Sequence, residues 1–230
     1  MMSKTIVVIG ASTGIGKAIV QEAAKNPENE IFAFARQQVV MQSNFKELCN
    51  VTTSFLDLEQ WDQNLFLEAL KNISHIDVLI NNAGFLVKND FDKLSHQDFI
   101  KSYQINVIGI MQVVQACIPK MTSSTSHIVN ISSMGGFQGS VKFPGLAAYS
   151  TSKAALCSFT ELFAEEYKDS NIHMNCLCLG AVQTEMLEEA FPGFKAPHSA
   201  AKMAAYIYNF SLTQGDFMNG KIIPVSLSTP

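Results

Sequence analysis

Short, nearly continuous apolar runs recur along this chain, each followed by a longer stretch with apolar residues at helical spacing. No other feature restricts the fold as strongly. A strand with one solvated face alternates apolar and polar residues, whereas a strand covered on both faces must be apolar almost throughout. Strands are expected over 5–9, 31–35, 51–56, 77–80, 127–131, 173–179 and 221–225, and helices over 14–25, 59–72, 95–121, 148–167 and 199–212. Strands and helices alternating in this way give an α/β protein: a doubly wound parallel sheet of about seven strands, with right-handed crossovers and helices on both faces. No repeat, low-complexity tract or Pro/Ser-rich linker interrupts the pattern, so residues 1–230 read as one domain. In such a sheet ligands sit beyond the carboxyl ends of the strands, and functional residues are expected just after each run.

Composition removes several classes of function. Hydrophobic residues make up 47% and charged residues 16% of the 230, against the usual charged fraction of about 25%, so disorder is excluded as the main state. Twenty acidic and 16 basic residues leave a net charge of -4, without the basic field that nucleic acids or anionic membranes require. No apolar run nears the ~20 residues of a spanning helix, and Met1-Met2-Ser3-Lys4 leads into a strand rather than a secretory leader. The five cysteines, Cys49, Cys117, Cys157, Cys176 and Cys178, are odd in number and lie mostly in apolar runs. They read as reduced thiols in a cytoplasmic protein. Cys176-x-Cys178 has no second ligand pair near it in the sequence, so no metal site is expected.

The first strand runs into Gly10-Ala11-Ser12-Thr13-Gly14-Ile15-Gly16. Gly10 suits a tight turn, Gly14 a close backbone approach to a pyrophosphate, and Gly16 close packing of helix on strand, while the helix N-terminus offers free N–H groups to an anion. Glycines also serve ordinary turns, so the triplet alone decides little. Its spacing, with the residues GASTGIG, resembles the single-domain branch of the short-chain dehydrogenase/reductase superfamily, whose fold is a Rossmann-type sheet. Further motifs follow in the order of that family. They are Asp57-Leu58 after the third strand, Asn81-Asn82-Ala83-Gly84 after the fourth, Asn106 on a long helix, Ser132-Ser133 after the fifth strand, Tyr149-x-x-x-Lys153, and Gly180-x-Val182-x-Thr184 after the sixth.

Tyr149 and Lys153 share a helix face. Such a pair arises easily by chance, and each of the four polar residues alone is as well read as a helix-start Tyr, a surface Lys, a strand-end Ser or a helix-kinking Asn. Their order and placement carry the reading. An ammonium beside a phenol favours phenolate, so Tyr149 is expected to have a lowered pKa and to act as general acid or base. The resemblance implies that Lys153 also binds the nicotinamide ribose and that Ser133 polarises the substrate carbonyl. It further implies that Asn106 holds a water, Asp57 the adenine amino group, and Val182 and Thr184 the carboxamide. Ser12, Thr13, Ile15, Leu58, Asn82, Ala83, Gly84 and Gly180 complete the implied cofactor site. Two departures stand out. Ser133 precedes Tyr149 by 16 residues rather than the family's usual 13 or so, extending the segment 139–145, and Leu179 replaces a proline.

The second strand ends in Ala35-Arg36, with Ala35 where NAD-dependent relatives carry an acid. Arg36, the one arginine in the chain, suits a 2′-phosphate, which favours NADP(H) over NAD(H); a solvent-facing Arg is the competing reading. Phe85, Leu86, Val141, Phe143, Met186, Leu187, Phe191 and Phe194 are candidate pocket walls for an apolar carbonyl or alcohol, or else core. The segment after Thr184 reads as a modest lid. The tail lacks the Asp-Gly-Gly ending common in the family. A homodimer or homotetramer is expected, with helices 95–121 and 148–167 pairing about a two-fold axis. The alternative is a cofactor-binding regulator of the same fold with little or no catalysis; a nucleotide-sugar epimerase fits poorly, since no separate substrate domain is present.

Overall fold

The computed structural model describes residues 3–227; the reading placed on Met1 and Met2 lies outside them. Seven strands form one parallel sheet: β1 (Thr5–Ile9), β2 (Glu30–Ala35), β3 (Val51–Phe55), β4 (Val78–Asn81), β5 (Ser126–Ser133), β6 (Ile172–Leu179) and β9 (Ile222–Val225). Their order across the sheet is β3-β2-β1-β4-β5-β6-β9. A separate two-residue pair, β7 (Val182–Gln183) and β8 (His198–Ser199), lies beyond β6. Pro224, which cannot donate to a ladder, sits in the edge strand β9, where that loss costs least.

The continuous apolar runs have the expected consequence. Ile6 and Val8 of β1 pack on one face with Ile19 and Val20 of α1 (Gly14–Ala23) and Ala204 and Ile207 of α8 (Ala200–Thr213). Val7 and Ile9 pack on the other with Phe66 of α3 (Gln63–Ala69), Ile110 and Val113 of α5 (Gly109–Cys117), and Leu156 and Phe163 of α6 (Ala147–Glu166). The winding is thus double, and neighbours along one strand feed two different cores.

Two helix expectations need correction, and two helices are added. The single helix over 95–121 is broken into α4 (His96–Tyr103), a π-turn over Gln104–Ile108, α5 and a 3₁₀ turn over Ile118–Lys120. The π-turn falls where Gly109 is pressed against Leu58: a Cβ there would lie 2.7 Å from the Leu58 Cβ. The helix over 59–72 is confined to Gln63–Ala69, because Asp62 accepts from Leu65 N–H at 3.0 Å and fixes the start. Two helices without a strong apolar stripe went unsignalled, α2 (Gln38–Phe45) and α7 (Glu185–Ala190).

Chain direction across the sheet reverses between β1 and β4, whose ends Ile9 and Asn81 are paired. A crevice opens beyond that point, as open α/β sheets require. Among the described residues, no helix is long and apolar enough to cross a membrane.

Candidate active site

The crevice is a cavity of ≈ 460 Å³ at the carboxyl edge of the sheet. Its floor at one end is the turn after β1. Gly10 has φ +83°, and a Cβ on it would lie 2.5 Å from the Ala83 Cα. Gly16 is pressed against the Gly10 carbonyl and the Asn82 side chain. Asn82 ties the two turns together, donating from Nδ2 to Gly10 O at 2.9 Å and from its N–H to Ile9 O at 3.0 Å. Gly10 and Ala11 N–H both donate to Phe34 O. Thr13 stands at the N-cap of α1 without a side-chain hydrogen bond to the first turn. The backbone N–H groups at the start of α1 therefore face the crevice with their dipole end, flanked by Ser12, Thr13, Gly14 and Ile15 of the lining. Gly14 (φ +53°) lies under Thr184, whose Cγ2 would be 3.3 Å from a Cβ there.

Along the crevice, Arg36, Asp57, Leu58, Ala83, Gly84, Gly180 and Val182 line the wall. Gly16 and Asn106 do not: the first is consumed by packing and the second is fully buried. Arg36 is 53% exposed at the rim, with its guanidinium 3.9 Å from Glu59. Glu59 also forms an ion pair with Lys101 at 2.9 Å, so this carboxylate sits between two cations. Glu59 and Gln37, the latter also lining the crevice, are neighbours of this wall that sequence reasoning missed.

At the far end stand Ser133, Tyr149 and Lys153. β5 ends in Ser132 and Ser133, and α6 begins just before Tyr149, so strand end and helix start deliver all four side chains to one wall. Ser132 is turned inward, donating from Oγ to Lys153 O at 2.8 Å. Ser133 faces the cavity that Tyr149 also lines, and its Oγ accepts from Gly135 N–H at 3.1 Å. Lys153 is 3% exposed and donates from Nζ to Ile131 O at 2.9 Å, with its ammonium 6.0 Å from the Tyr149 ring centre.

The acidity of this group departs from expectation. Burial pushes the Tyr149 hydroxyl above its ordinary value of 10.0, and the lowering influence of Ser133 only partly offsets this. Burial likewise pulls Lys153 down, to about 8. The lysine sits toward the strand carbonyl rather than on the phenol, so the lowering expected from the i,i+4 pair is absent here. Asn106 differs too. Its Oδ1 accepts from Phe85 N–H at 2.7 Å and its Nδ2 donates to Phe85 O and Ser152 Oγ, both at 2.9 Å. Its amide donors are spent on holding the Gly84–Phe85 turn against α6, and the π-turn is what aims it there.

Of the expected pocket walls, Leu86, Phe143, Met186, Leu187, Phe191 and Phe194 line the cavity. Val141 and Phe85 do not. Val141 is 53% exposed at the tip of its loop, and Phe85 packs against the core around α5, with the Lys101 ammonium 5.1 Å from its ring. The extended 139–145 segment folds back on itself: Lys142 Nζ donates to Gly135 O at 3.1 Å and to Ser140 Oγ at 2.9 Å. That turn delivers Phe143 to the lid, where it meets Phe191 edge-on at 6.5 Å.

Beneath this wall, the structure adds what spacing did not reveal. Cys157 of α6 lies against Cys176 and Cys178 of β6, all three buried, while Cys49 is exposed.

Comparison with known proteins agrees with this arrangement. The family model for short chain dehydrogenases matches residues 4–194. A 3-amino-tetrahydro-pyrrolizinone reductase from Xenorhabdus hominickii is 35% identical over 193 residues, which are 82% of this chain and 65% of that protein. The chain thus spans a little under two thirds of that relative's length. The oxidoreductase BOA17 of Botryotinia fuckeliana (strain B05.10) is 31% identical over 196 residues, 80% of this chain and 68% of that protein. Among solved structures, one described as "ElxO with NADP Bound" superimposes with a TM-score of 0.84 at 25% identity, covering 97% of each chain.

Proposed function

The chain belongs to the short chain dehydrogenase family, and from that premise we propose that it is an NADP(H)-dependent oxidoreductase interconverting a small, apolar carbonyl compound and its alcohol. One observation carries the reading. The hydroxyls of Ser133 and Tyr149, with Lys153, occupy one end of a crevice whose other end is a glycine cradle and the chain's one arginine.

The cradle fits a dinucleotide because side chains are excluded from it: Cβ atoms at Gly10 and Gly16 would collide with backbone or with the Asn82 side chain, which keeps the N–H groups of α1 open to a pyrophosphate. Asp57, Ala83, Val182 and Thr184 line the length between the two ends. Arg36 is the residue we assign to the 2′-phosphate, and the NADP named with the structural neighbour supports that choice. When bound, the nicotinamide supplies or takes the hydride. The chain's own residues handle the oxygen. The Tyr149 hydroxyl, kept protonated by its buried position, delivers its proton to the carbonyl oxygen while Ser133 donates to the same oxygen as charge builds there. Lys153, with an acidity near neutrality, is the buried group able to restore that proton. Asn106 acts as a positioning residue for the Gly84–Phe85 turn beneath it. Apolar walls from Leu86, Phe143, Met186 and Phe191 select an apolar substrate.

The same reading places the chain, as a single domain, in the cytoplasm as a homodimer or homotetramer. Its support is an apolar strip of Ile100, Ile108 and Leu162, the last 68% exposed, on the two helices expected to pair.

The deciding experiment is Tyr149→Phe, assayed with NADPH against a panel of carbonyl compounds. Turnover is expected to fall by ~10²–10⁴, with NADPH affinity unchanged. Turnover within a few-fold of wild type would overturn the mechanism. A wild type that binds NADPH and turns over no carbonyl compound would favour the regulator instead.

A further inference from the structure

Cys176 and Cys178 are two apart on β6, so strand alternation puts both on the face that α6 crosses. Cys157 is one turn beyond Lys153 on α6, which brings it over that pair. The Cys157 sulfur lies 3.6 Å from that of Cys178 and 3.9 Å from that of Cys176, and all three lie within 4.8 Å of one another. A fourth polar atom joins them: Ser132 Oγ is 3.5 Å from the Cys157 sulfur. These spacings belong to a coordination shell. An ion with metal–sulfur bonds of about 2.3 Å at tetrahedral angles holds its sulfurs about 3.8 Å apart, and a hydroxyl ligand at about 2.0 Å sits about 3.5 Å from each sulfur.

We propose that Cys157, Cys176 and Cys178 form a binding site for a single soft divalent cation of the zinc–cadmium type, with Ser132 Oγ facing the fourth position. The surroundings fit such an ion and no hard one. Met134, Phe137 and Ile222 wall the trio, and carboxylates, which magnesium or calcium would need, are missing from the cluster. Charge also fits. Three thiolates and one dication leave a single negative charge, and Lys153, buried one turn before Cys157 on α6, is the cation placed to counter it. Binding is pure exchange: S–H bonds break, three metal–sulfur bonds form, the displaced protons leave to solvent, and nothing is oxidised or reduced.

The probe is cadmium, added anaerobically to the Cys49→Ser protein so that the exposed thiol cannot contribute. The expected result is a thiolate-to-cadmium charge-transfer band that saturates at one equivalent per chain, with an X-ray absorption shell of three sulfurs. Cys178→Ala should lose that shell and weaken binding by more than the ~10–100-fold that an outer-shell partner is worth. A band that does not saturate at one equivalent, or a shell of fewer than three sulfurs, would overturn the proposal. The sulfur count is read on the intact trio, so it decides the question even where Cys178→Ala does not fold. None of these readouts depends on the proposed reaction.

Discussion

The two ends of the crevice are built in opposite ways. At the glycine end, backbone meets backbone: Gly10 against Ala83, Gly16 against the Gly10 carbonyl, Asn82 bonded across both turns. At the lid end, side chain meets side chain: Phe143 against Phe191, and the Lys88 ammonium 4.0 Å over the Phe191 ring. Backbone contacts at the floor of a sheet leave no slack, because neither partner has a rotamer to change. Aromatic and cation–π contacts at an exposed rim can re-form in several ways and are individually weak. On the function proposed above, the cofactor end is then a fixed mould, and the substrate end an adjustable one.

Two glycines of nearly equal backbone angle test that contrast most directly. Gly10 (φ +83°) has Ala83 backbone within 2.6 Å of a Cβ, whereas Gly139 (φ +81°), in the lid-side loop, has nothing within 4 Å. Both Ala variants bear the left-handed penalty of about 1–2 kcal/mol, but only Gly10→Ala also forces two turns apart. Gly139→Ala should lose about that penalty in urea unfolding and keep its NADPH affinity. Gly10→Ala should lose several kcal/mol more, or fail to fold, and bind no cofactor. Equal losses would mean that the mould is softer than its geometry.

Away from the crevice, near the amino end of β5, the sheet has a point weak to acid. His127 on β5 is buried, and both ring nitrogens are engaged: Nδ1 with Ser211 O at 2.9 Å and Nε2 with the Asn175 amide Nδ2, also at 2.9 Å. Asn175 can only donate there, so the ring must be neutral, with its hydrogen on Nδ1. Burial chiefly, and His173 to a lesser extent, hold it down to about 4 from 6.5, against the raising influence of the Ser211 carbonyl and Asp216. Above pH 6.5 neither state of the chain is protonated there and stability does not depend on this group. Between 6.5 and about 4 the unfolded chain takes up the proton and the folded chain does not, so stability falls by about 1.4 kcal/mol per unit, some 3 kcal/mol in all. Unfolding followed across this range should show that slope, and His127→Gln should flatten it.

At the rim of the glycine end, Arg36→Glu should weaken NADPH binding by about 10–100-fold, the worth of one or two charge-assisted hydrogen bonds, and leave NADH within a few-fold. The nearness of Glu59 sets a limit on this, since Arg36 must leave one anion to meet another. A wild type that binds NADH more tightly than NADPH would refute the cofactor assignment.

The contrast also explains what could be read in advance. β1 coincides with its sequence-based bounds, and the crevice lining contains nearly all the residues that the sequence assigns to a cofactor, because glycines and strand ends encode local backbone demands. What escaped depends on distant partners. The π-turn exists because Gly109 meets Leu58, fifty-one positions away, and Asn106 turns toward Phe85 for that reason. α2 buries only Met41 and Phe45, too little for periodicity to register. Cys157 is nineteen residues from Cys176, and only the packing of α6 on β6 makes them neighbours. Tyr149 was misjudged for a related reason: helix spacing puts Lys153 on its side, but the strand carbonyl of Ile131 claims the ammonium.

The smallest expected effect belongs to the lid. Phe191 follows α7, and its ring holds both Phe143 of the extended loop and Lys88, whose Nζ also donates to Ala190 O at 3.0 Å. Removing the ring by Phe191→Ala deletes one edge-on aromatic contact and one exposed cation–π contact, about 1–2 kcal/mol together at most. Most of that should fall on substrate binding, because Phe191 lines the cavity together with the apolar Leu86 and Met186. KM for an apolar carbonyl substrate should therefore rise several-fold, with kcat and NADPH affinity within about two-fold. Lys88→Met keeps the aliphatic stem and removes only the charge, so it should show a smaller rise in KM of the same kind. A fall in NADPH affinity matching the rise in KM would show that the two ends move as one body, and the division between a fixed and an adjustable mould would fail.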